Sequence, residues 1–405
     1  MIGSFKYGWF KVDSTAPSSI LYTKYTYSYE IQGSAFNNNF GTNVSINSAG
    51  DVWATGSMYY NSFAGIISIK RGNNNLGSII GGSNASVGKT MSMNSSGSRV
   101  VTFYYIPGSG GIDSNQTRVY RHNGGTTWVQ LGQDIGNIVP ATHLTMNGDG
   151  NVYAASYSTE TAGGNANSGA TRVFELSTHP LTANIWVQRG NTINGLSGSR
   201  LGACSINKAG NILAVGAPYA NNISTLAGSV STFEWNGASW NIKGNPLFGL
   251  EKERFGFSVA LNYEGNRLAI GVIGRTSTAG GSGQVLVYDW DGSNWSQLGT
   301  PIQAPLTGNV SFGSSISMNA VGDLVIIGAP STNINGQTLV GSTHIFQWYQ
   351  NNWVNYVPVI SGSASDQLGI SVAMDGVGNN IVIGNPGYDS GGINQRGRVI
   401  YYNLS

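Results

Sequence analysis

Residues 255–265 read Phe255-Gly256-Phe257-Ser258-Val259-Ala260-Leu261-Asn262-Tyr263-Glu264-Gly265. Small and apolar residues alternate, Asn-x-x-Gly follows, and a second apolar run begins at Arg267-Leu268-Ala269-Ile270-Gly271. Alternation of period two marks a strand. An Asn that hydrogen-bonds nearby backbone and a Gly that accepts positive φ make a tight hairpin turn. The phrase returns at Phe312-Gly313-Ser314-Ser315-Ile316-Ser317-Met318-Asn319-Ala320-Val321-Gly322. Turn glycines recur at Gly50, Gly97, Gly150, Gly210, Gly265, Gly322 and Gly378, about 47 to 60 residues apart. That period, filled with strand patterns, belongs to a radial or stacked repeat whose units cannot bury their apolar faces alone.

Downstream of residue 271, the same unit holds a Gly/Ser/Thr-rich loop, a third strand at 284–290, a turn at 291–294 and a fourth strand at 295–299. Four antiparallel strands per unit is the blade of a β-propeller. We therefore expect an all-β, seven-bladed propeller of four-stranded antiparallel blades. Trp128, Trp186, Trp240, Trp295 and Trp353 recur at one phase after the second turn, where a large wedge fills the gap between blades at the rim. First-strand positions such as Ser258, Ala260, Ser315 and Ser317 are small, as a crowded centre requires. The last unit stops after a third strand at 398–403, and residues 27–33 resemble an orphan fourth strand. The N-terminal strand is expected to close the last blade. Residues 21–405 then form one propeller domain, and residues 1–20 an arm carrying Phe5, Tyr7, Trp9 and Phe10 as a docking element. Two units depart from the pattern: residues 71–77 read as a loop in the first, and Pro140-Ala141 replaces Phe-Gly in the third.

Only 9% of residues are charged and the net charge is +2. No basic field for nucleic acid and no apolar run of membrane-spanning length follow from this composition. Asn, Ser, Thr, Gly and Tyr must cover the surface, a palette shared with adhesive surfaces. The single cysteine, Cys204, excludes an internal disulfide and falls at a position that is apolar in other copies. The first ten residues lack the continuous apolar segment of a signal peptide. Together these features suggest a virion protein or a surface protein matured from a precursor.

Phe255-Gly256 with Ile270-Gly271, Leu201-Gly202 with Gly216-Ala217-Pro218, and Phe312-Gly313 with Gly328-Ala329-Pro330 resemble the FG-GAP repeats of integrin alpha subunits. The resemblance covers nearly the whole chain. It implies a seven-bladed propeller that meets its ligand with loops from one face, mostly as an adhesive or interaction module. Some members hold calcium in an acidic loop, and calcium needs several carboxylate or carbonyl oxygens. The nearest copy here, residues 145–153, lacks the first and last acids. We therefore expect no cofactor, with calcium as the only candidate, and no metal site.

His122, His143, His179 and His344 sit at unrelated repeat phases, without zinc-ligand spacing. Glycoside hydrolysis needs two paired carboxylates. Loop acids Glu160, Glu251, Glu253, Asp366 and Asp389 show no pairing in the sequence. The long second-to-third loops (107–116, 157–170, 219–228, 275–283, 331–340 and 387–396) should emerge on one face with the blade-to-blade connections. Such loops on a rigid ring are where binding residues sit. The candidate ligand-binding residues are Tyr157, Tyr219, Glu251, Arg254, Arg275, Tyr388, Asp389 and Arg396. The expected function is non-catalytic binding or adhesion on a virion or cell surface, with a protein or glycan as partner. The alternatives are a capsid or tail building block that docks other virion proteins through its N-terminal arm, and a polysaccharide-degrading enzyme.

Overall fold

The computed structural model describes residues 26–33, 38–106, 114–137, 139–177, 184–221, 223–274, 282–304, 311–389 and 395–404. It is a seven-bladed propeller of four-stranded antiparallel blades. Blades 1 to 6 span residues 43–80, 91–137, 143–194, 203–248, 255–303 and 315–361. Blade 7 takes three strands from 372–403 and its fourth, Thr26–Gln32, from the N-terminal side. The expected closure is therefore present, with Tyr29 stacked on Tyr401 at 4.9 Å.

The repeated sequence features each have a physical task. In blade 5, Asn262 is buried, and its Oδ1 accepts the backbone N–H groups of Asn266 and Arg267 at 3.1 and 3.0 Å. Gly265 follows at φ 72°. The turn is thus held by its own side chain, and each of the seven turns has an Asx Oδ1 that accepts backbone N–H groups three to five residues on, with Asp375 as the variant in blade 7. The Phe-Gly glycine and the second-strand glycine face one another across blade boundaries. A Cβ on Gly56, Gly216, Gly271, Gly328 or Gly384 would lie 2.0–2.2 Å from the carbonyl oxygen of Gly88, Gly256, Gly313, Gly369 or Gly41, respectively. No side chain fits there, so the two glycines are one constraint set by the closeness of neighbouring blades.

The tryptophans join the blades at the rim. The indole N–H of Trp128 donates to the Leu76 carbonyl, Trp186 to Leu131, Trp240 to Arg189 and Trp353 to Leu298, at 2.8–3.1 Å. Trp295 donates to the Thr232 hydroxyl at 2.7 Å. Each partner belongs to the preceding blade. The bulged fourth strand makes room for the neighbouring ring. In blade 5, Trp295–Gln297 and Ile302–Gln303 both pair with the third strand, Gln284–Trp290. Gly299 lies in the interruption, where a Cβ would meet the Trp348 ring of blade 6 at 2.5 Å. Apolar clusters likewise span pairs of blades: Val285 and Val287 of blade 5 share one with Val325, Ile327 and Phe346 of blade 6. Cys204 is buried in such a cluster, and burial pushes its thiol pKa up to about 12.

Two local expectations are corrected. Residues 71–77 do not form a loop: Ile66–Arg71 and Asn74–Ile80 make a tight hairpin with a register shift between Ile69 and Lys70. Blade 1 lacks the fourth-strand tryptophan of blades 2 to 6; its tryptophan is Trp53 on the second strand, fully buried and bonded to Tyr29 and the Gly72 carbonyl. In blade 3 the departure lies one residue later. Thr142 N–H bonds the Ser156 carbonyl, as Gly202 N–H bonds Gly216, so Ala141-Thr142 occupies the Phe-Gly slot.

Candidate binding face

The two faces of the ring differ. On the tight-turn face, the residue after each turn Asx donates its backbone N–H to the equivalent carbonyl of the next blade. Ser48 donates to Ser95, then Ser95 to Gly148, Gly148 to Lys208, Lys208 to Tyr263, Tyr263 to Ala320, Ala320 to Gly376, and Gly376 back to Ser48. All seven distances lie between 2.8 and 3.2 Å, and the circle closes. The Tyr263 side chain crosses the centre of this circle to the Ser48 hydroxyl, with the Lys208 ammonium 5.0 Å from its ring. Burial raises the Tyr263 pKa. This end of the axis is occupied by side chains. His143, at the start of the first strand of blade 3, is exposed, and desolvation lowers its pKa.

The described long loops of blades 3, 4 and 6 emerge together on the opposite face, with the blade connections, and are braced there; residues 107–113, 275–281 and 390–394 of the other long loops lie outside the described residues. In blade 4 the carbonyls of Thr225, Leu226 and Ala227 accept the N–H groups of Lys252, Arg254 and Phe255, in the connection to blade 5. Equivalent rungs join Asn167 and Ser168 to Arg200 and Leu201, and Leu339 and Val340 to Gln367 and Leu368. The geometry forces positive φ on the connection residue before Phe-, Leu- or Val-Gly. Asn39, Ser86, Arg200, Arg254, Ser311 and Gln367 all lie at 48–54°.

The predicted site residues separate into distinct environments. Tyr157 is not on the surface: it is 2% exposed, packed in the core between blades 2 and 3. Its register opposite Ala170 turns the ring inward at the end of the second strand. Glu251 is exposed and paired with Lys252 at 3.1 Å. Tyr388 lies under the Arg398 guanidinium at 4.0 Å, and Arg398 is paired with Glu30 and Asp366. Asp389 caps the N–H of Gln395, and Arg396 donates to the Gly33 carbonyl beside the closing strand. These three residues of blade 7 support its loop and closure. Arg275, Phe5, Tyr7, Trp9 and Phe10 lie outside the described residues.

Tyr219 and Arg254 come together, and with them Arg200, which the sequence reading missed. The two guanidinium carbons lie 5.0 and 5.3 Å from the Tyr219 ring centroid. Arg200 lies in the connection to blade 4, Tyr219 in the loop of blade 4, and Arg254 in the connection to blade 5. A signal was present: Ser199-Arg200-Leu201-Gly202 and Glu253-Arg254-Phe255-Gly256 align in the repeat. Exposed large apolar residues come from the same sector: Leu196 and Ile223 from the first connection and the loop, Phe248 from the end of blade 4, and Leu250 from the second connection. A shallow cleft of about 190 Å³ lies beside them, lined by Asn194, Leu196, Ser199, Ser229 and Pro246 among others. A second, wider cleft over blades 1 and 2 is lined by Tyr59, Phe63, Lys89, Phe103 and Pro140. Its wall is the short turn Tyr60–Phe63, where Asn61, Ser62 and Phe63 all take positive φ.

Several loop carboxylates are engaged within the fold. Glu160 pairs with Arg172 at 2.6 Å. Glu253 is buried and accepts the Leu250 N–H at 2.7 Å. Asp366 is buried and accepts from the Ser363 N–H, Asn385 and Arg398. Among the described residues, no group of three or more His, Cys, Asp or Glu side chains is placed to hold a metal ion. In the calcium-like turn of blade 3, Asn147 Nδ2 donates to Asn151 Oδ1 at 2.8 Å, so two amides meet where a cation would need oxygens. No family model matches the chain, and no curated protein matches it.

Proposed function

We propose that this propeller is a non-catalytic binding module that engages a protein or glycan partner with its long-loop face, on the outside of a particle or cell. The observation that carries this reading is the sector around blades 3 to 5. Leu196, Ile223, Phe248 and Leu250 are exposed there beside Tyr219 and its two arginines. Exposed large apolar groups clustered beside polar ones mark interaction sites. The bracing rungs support the same reading, because a preordered loop loses little entropy on binding. The near-neutral surface suits contact through aromatic area and hydrogen bonds more than through long-range charge.

The test compares two double variants of the whole chain on a panel of intact cells, with and without prior glycosidase or protease treatment. Ile223→Ser/Leu250→Ser alters the long-loop face, and Val321→Ser/Val377→Ser alters exposed residues of the opposite face. We expect the first to weaken cell binding about tenfold or more and the second to leave it unchanged. Equal binding by the first variant and the unaltered chain would sink the assignment of this face.

A further inference from the structure

Among the described residues, arginine–tyrosine contacts occur at four tyrosines, and three of them are electrically closed. Arg118 stacks at 3.5 Å on Tyr104 and pairs with Asp134 at 2.6 Å. Arg172 lies 5.4 Å from Tyr157 and pairs with Glu160. Arg398 lies over Tyr388 and pairs with Glu30 and Asp366. At Tyr219 there are two arginines, and neither Arg200 nor Arg254 has a carboxylate partner among the described residues. The nearby acids are committed elsewhere: Glu251 to Lys252, and Glu253 inward to the Leu250 N–H and Gln284.

The backbone beneath this pair is fixed. Arg200 N–H bonds the Asn167 carbonyl at 3.1 Å, Arg254 N–H bonds Leu226 at 3.0 Å, and Tyr219 N–H bonds Ser199 at 3.2 Å. Both arginines occupy the positive-φ position that other blades give to Asn, Ser or Gln; of these only Asn takes it readily, so Arg carries the same backbone cost there as Ser or Gln. In two adjacent blades that position holds Arg, and both side chains converge on one ring.

We propose that Arg200, Tyr219 and Arg254 form an anion clamp that reads a carboxylate, sulfate or phosphate group on a glycan. A guanidinium presents a planar fork of donors that matches such groups bidentately, and stacking on tyrosine preorganises it. The adjoining cleft offers the exposed Asn194 amide beside Leu196 and Pro246, a lining suited to a sugar hydroxyl and ring carbons, while Ser199 and Ser229 in its wall are buried. Two guanidiniums on a single ring address one compact anionic group rather than an extended acidic peptide. This inference rests on the long-loop face being the binding face.

The experiment uses an array of sulfated, phosphorylated, and sialylated or uronate-bearing glycans, each beside its neutral parent, probed with the whole chain. Arg200→Gln/Arg254→Gln removes both charges, and Arg200→Lys/Arg254→Lys keeps them while losing the fork. Thermal melting checks that both variants fold. The unaltered chain is expected to hold one anionic series at least about tenfold above its neutral parent, the Gln pair to lose that preference, and the Lys pair to fall between. The series retained identifies the anion. Binding indifferent to the anion, binding unchanged in the Gln pair, or no anionic glycan retained would each overturn the clamp. Cell binding that survives glycan removal but is lost in the Gln pair would also overturn it, in favour of an acidic protein. If Ile223→Ser/Leu250→Ser abolishes binding while the Gln pair does not, the face stands and the clamp falls. If neither variant matters, both fall.

Discussion

His344 shows how a single polar residue is accommodated in a blade core. It lies on the third strand of blade 6, 3% exposed, with the Phe312 ring edge-on at 5.3 Å. Thr332 donates its hydroxyl to the Ala329 carbonyl at 2.7 Å, so the proton shared at 2.9 Å with Ser342 must come from Ser342. The Ser342 oxygen is then the acceptor for His344 Nε2–H at 2.9 Å, which fixes the tautomer. Nδ1 is left buried without a hydrogen bond, and a proton there would be an unpaired buried charge. Burial accordingly lowers the pKa from 6.5 to about 4. Between these values the unfolded chain binds more protons than the folded one. The stability contribution is therefore complete above about pH 6.5 and is lost progressively as pH falls toward about 4. The full loss is of order 3 kcal/mol. Urea midpoints at pH 7 and pH 4.5 should fall more in the natural protein than in His344→Asn, which cannot take up the proton. Parallel midpoints would mean that His344 does not titrate in this window.

At the scale of elements, the N-terminal strand is the piece whose loss should matter most. Thr26–Gln32 pairs along Arg398–Asn403, covers the edge of blade 7, and brings Glu30 to Arg398. Tyr29 also bonds Trp53 of blade 1, so one strand holds both sides of the closing seam. A chain lacking residues 1–33 would expose an unpaired strand edge and leave Arg398 with only Asp366. We expect it to melt at least about 5 °C lower, or to aggregate, as judged by calorimetry and light scattering. Equal melting of the shortened and full chains would show that the closure adds no stability. This strand was readable because the last unit runs out after Tyr401 and Tyr402 while an alternating segment waits upstream. The turns and tryptophans were readable for the same reason, since each repeats a local backbone requirement. The site was less legible. Tyr157 and Tyr219 both open a long loop, but register turns the first into the core while the second stays half-exposed. Convergence of Arg200 and Arg254 on Tyr219 depends on how neighbouring blades meet, which no single repeat encodes.

The whole molecule is closed in two independent ways, at the rim by the shared blade and at the centre by the seven-membered circle of backbone hydrogen bonds. The circle lies in turns, where amides ordinarily exchange quickly with solvent. Here each turn N–H is bound to the next blade, and opening one requires two blades to part. Blade interfaces are in turn locked by glycine contacts and indole hydrogen bonds, so parting is not a local event. We therefore expect the amides of Ser48, Ser95, Gly148, Lys208, Tyr263, Ala320 and Gly376 to exchange as slowly as those of the central strands, and at similar rates to one another. Ala320→Pro removes one donor of the circle, the N–H that reaches Gly376. If the ring acts as one cooperative unit, hydrogen exchange in this variant should accelerate at distant members such as Ser95 and Gly148 as well as at Gly376. Acceleration confined to blades 6 and 7 would instead mean that each interface opens alone, and that closure of the circle is geometric without being cooperative.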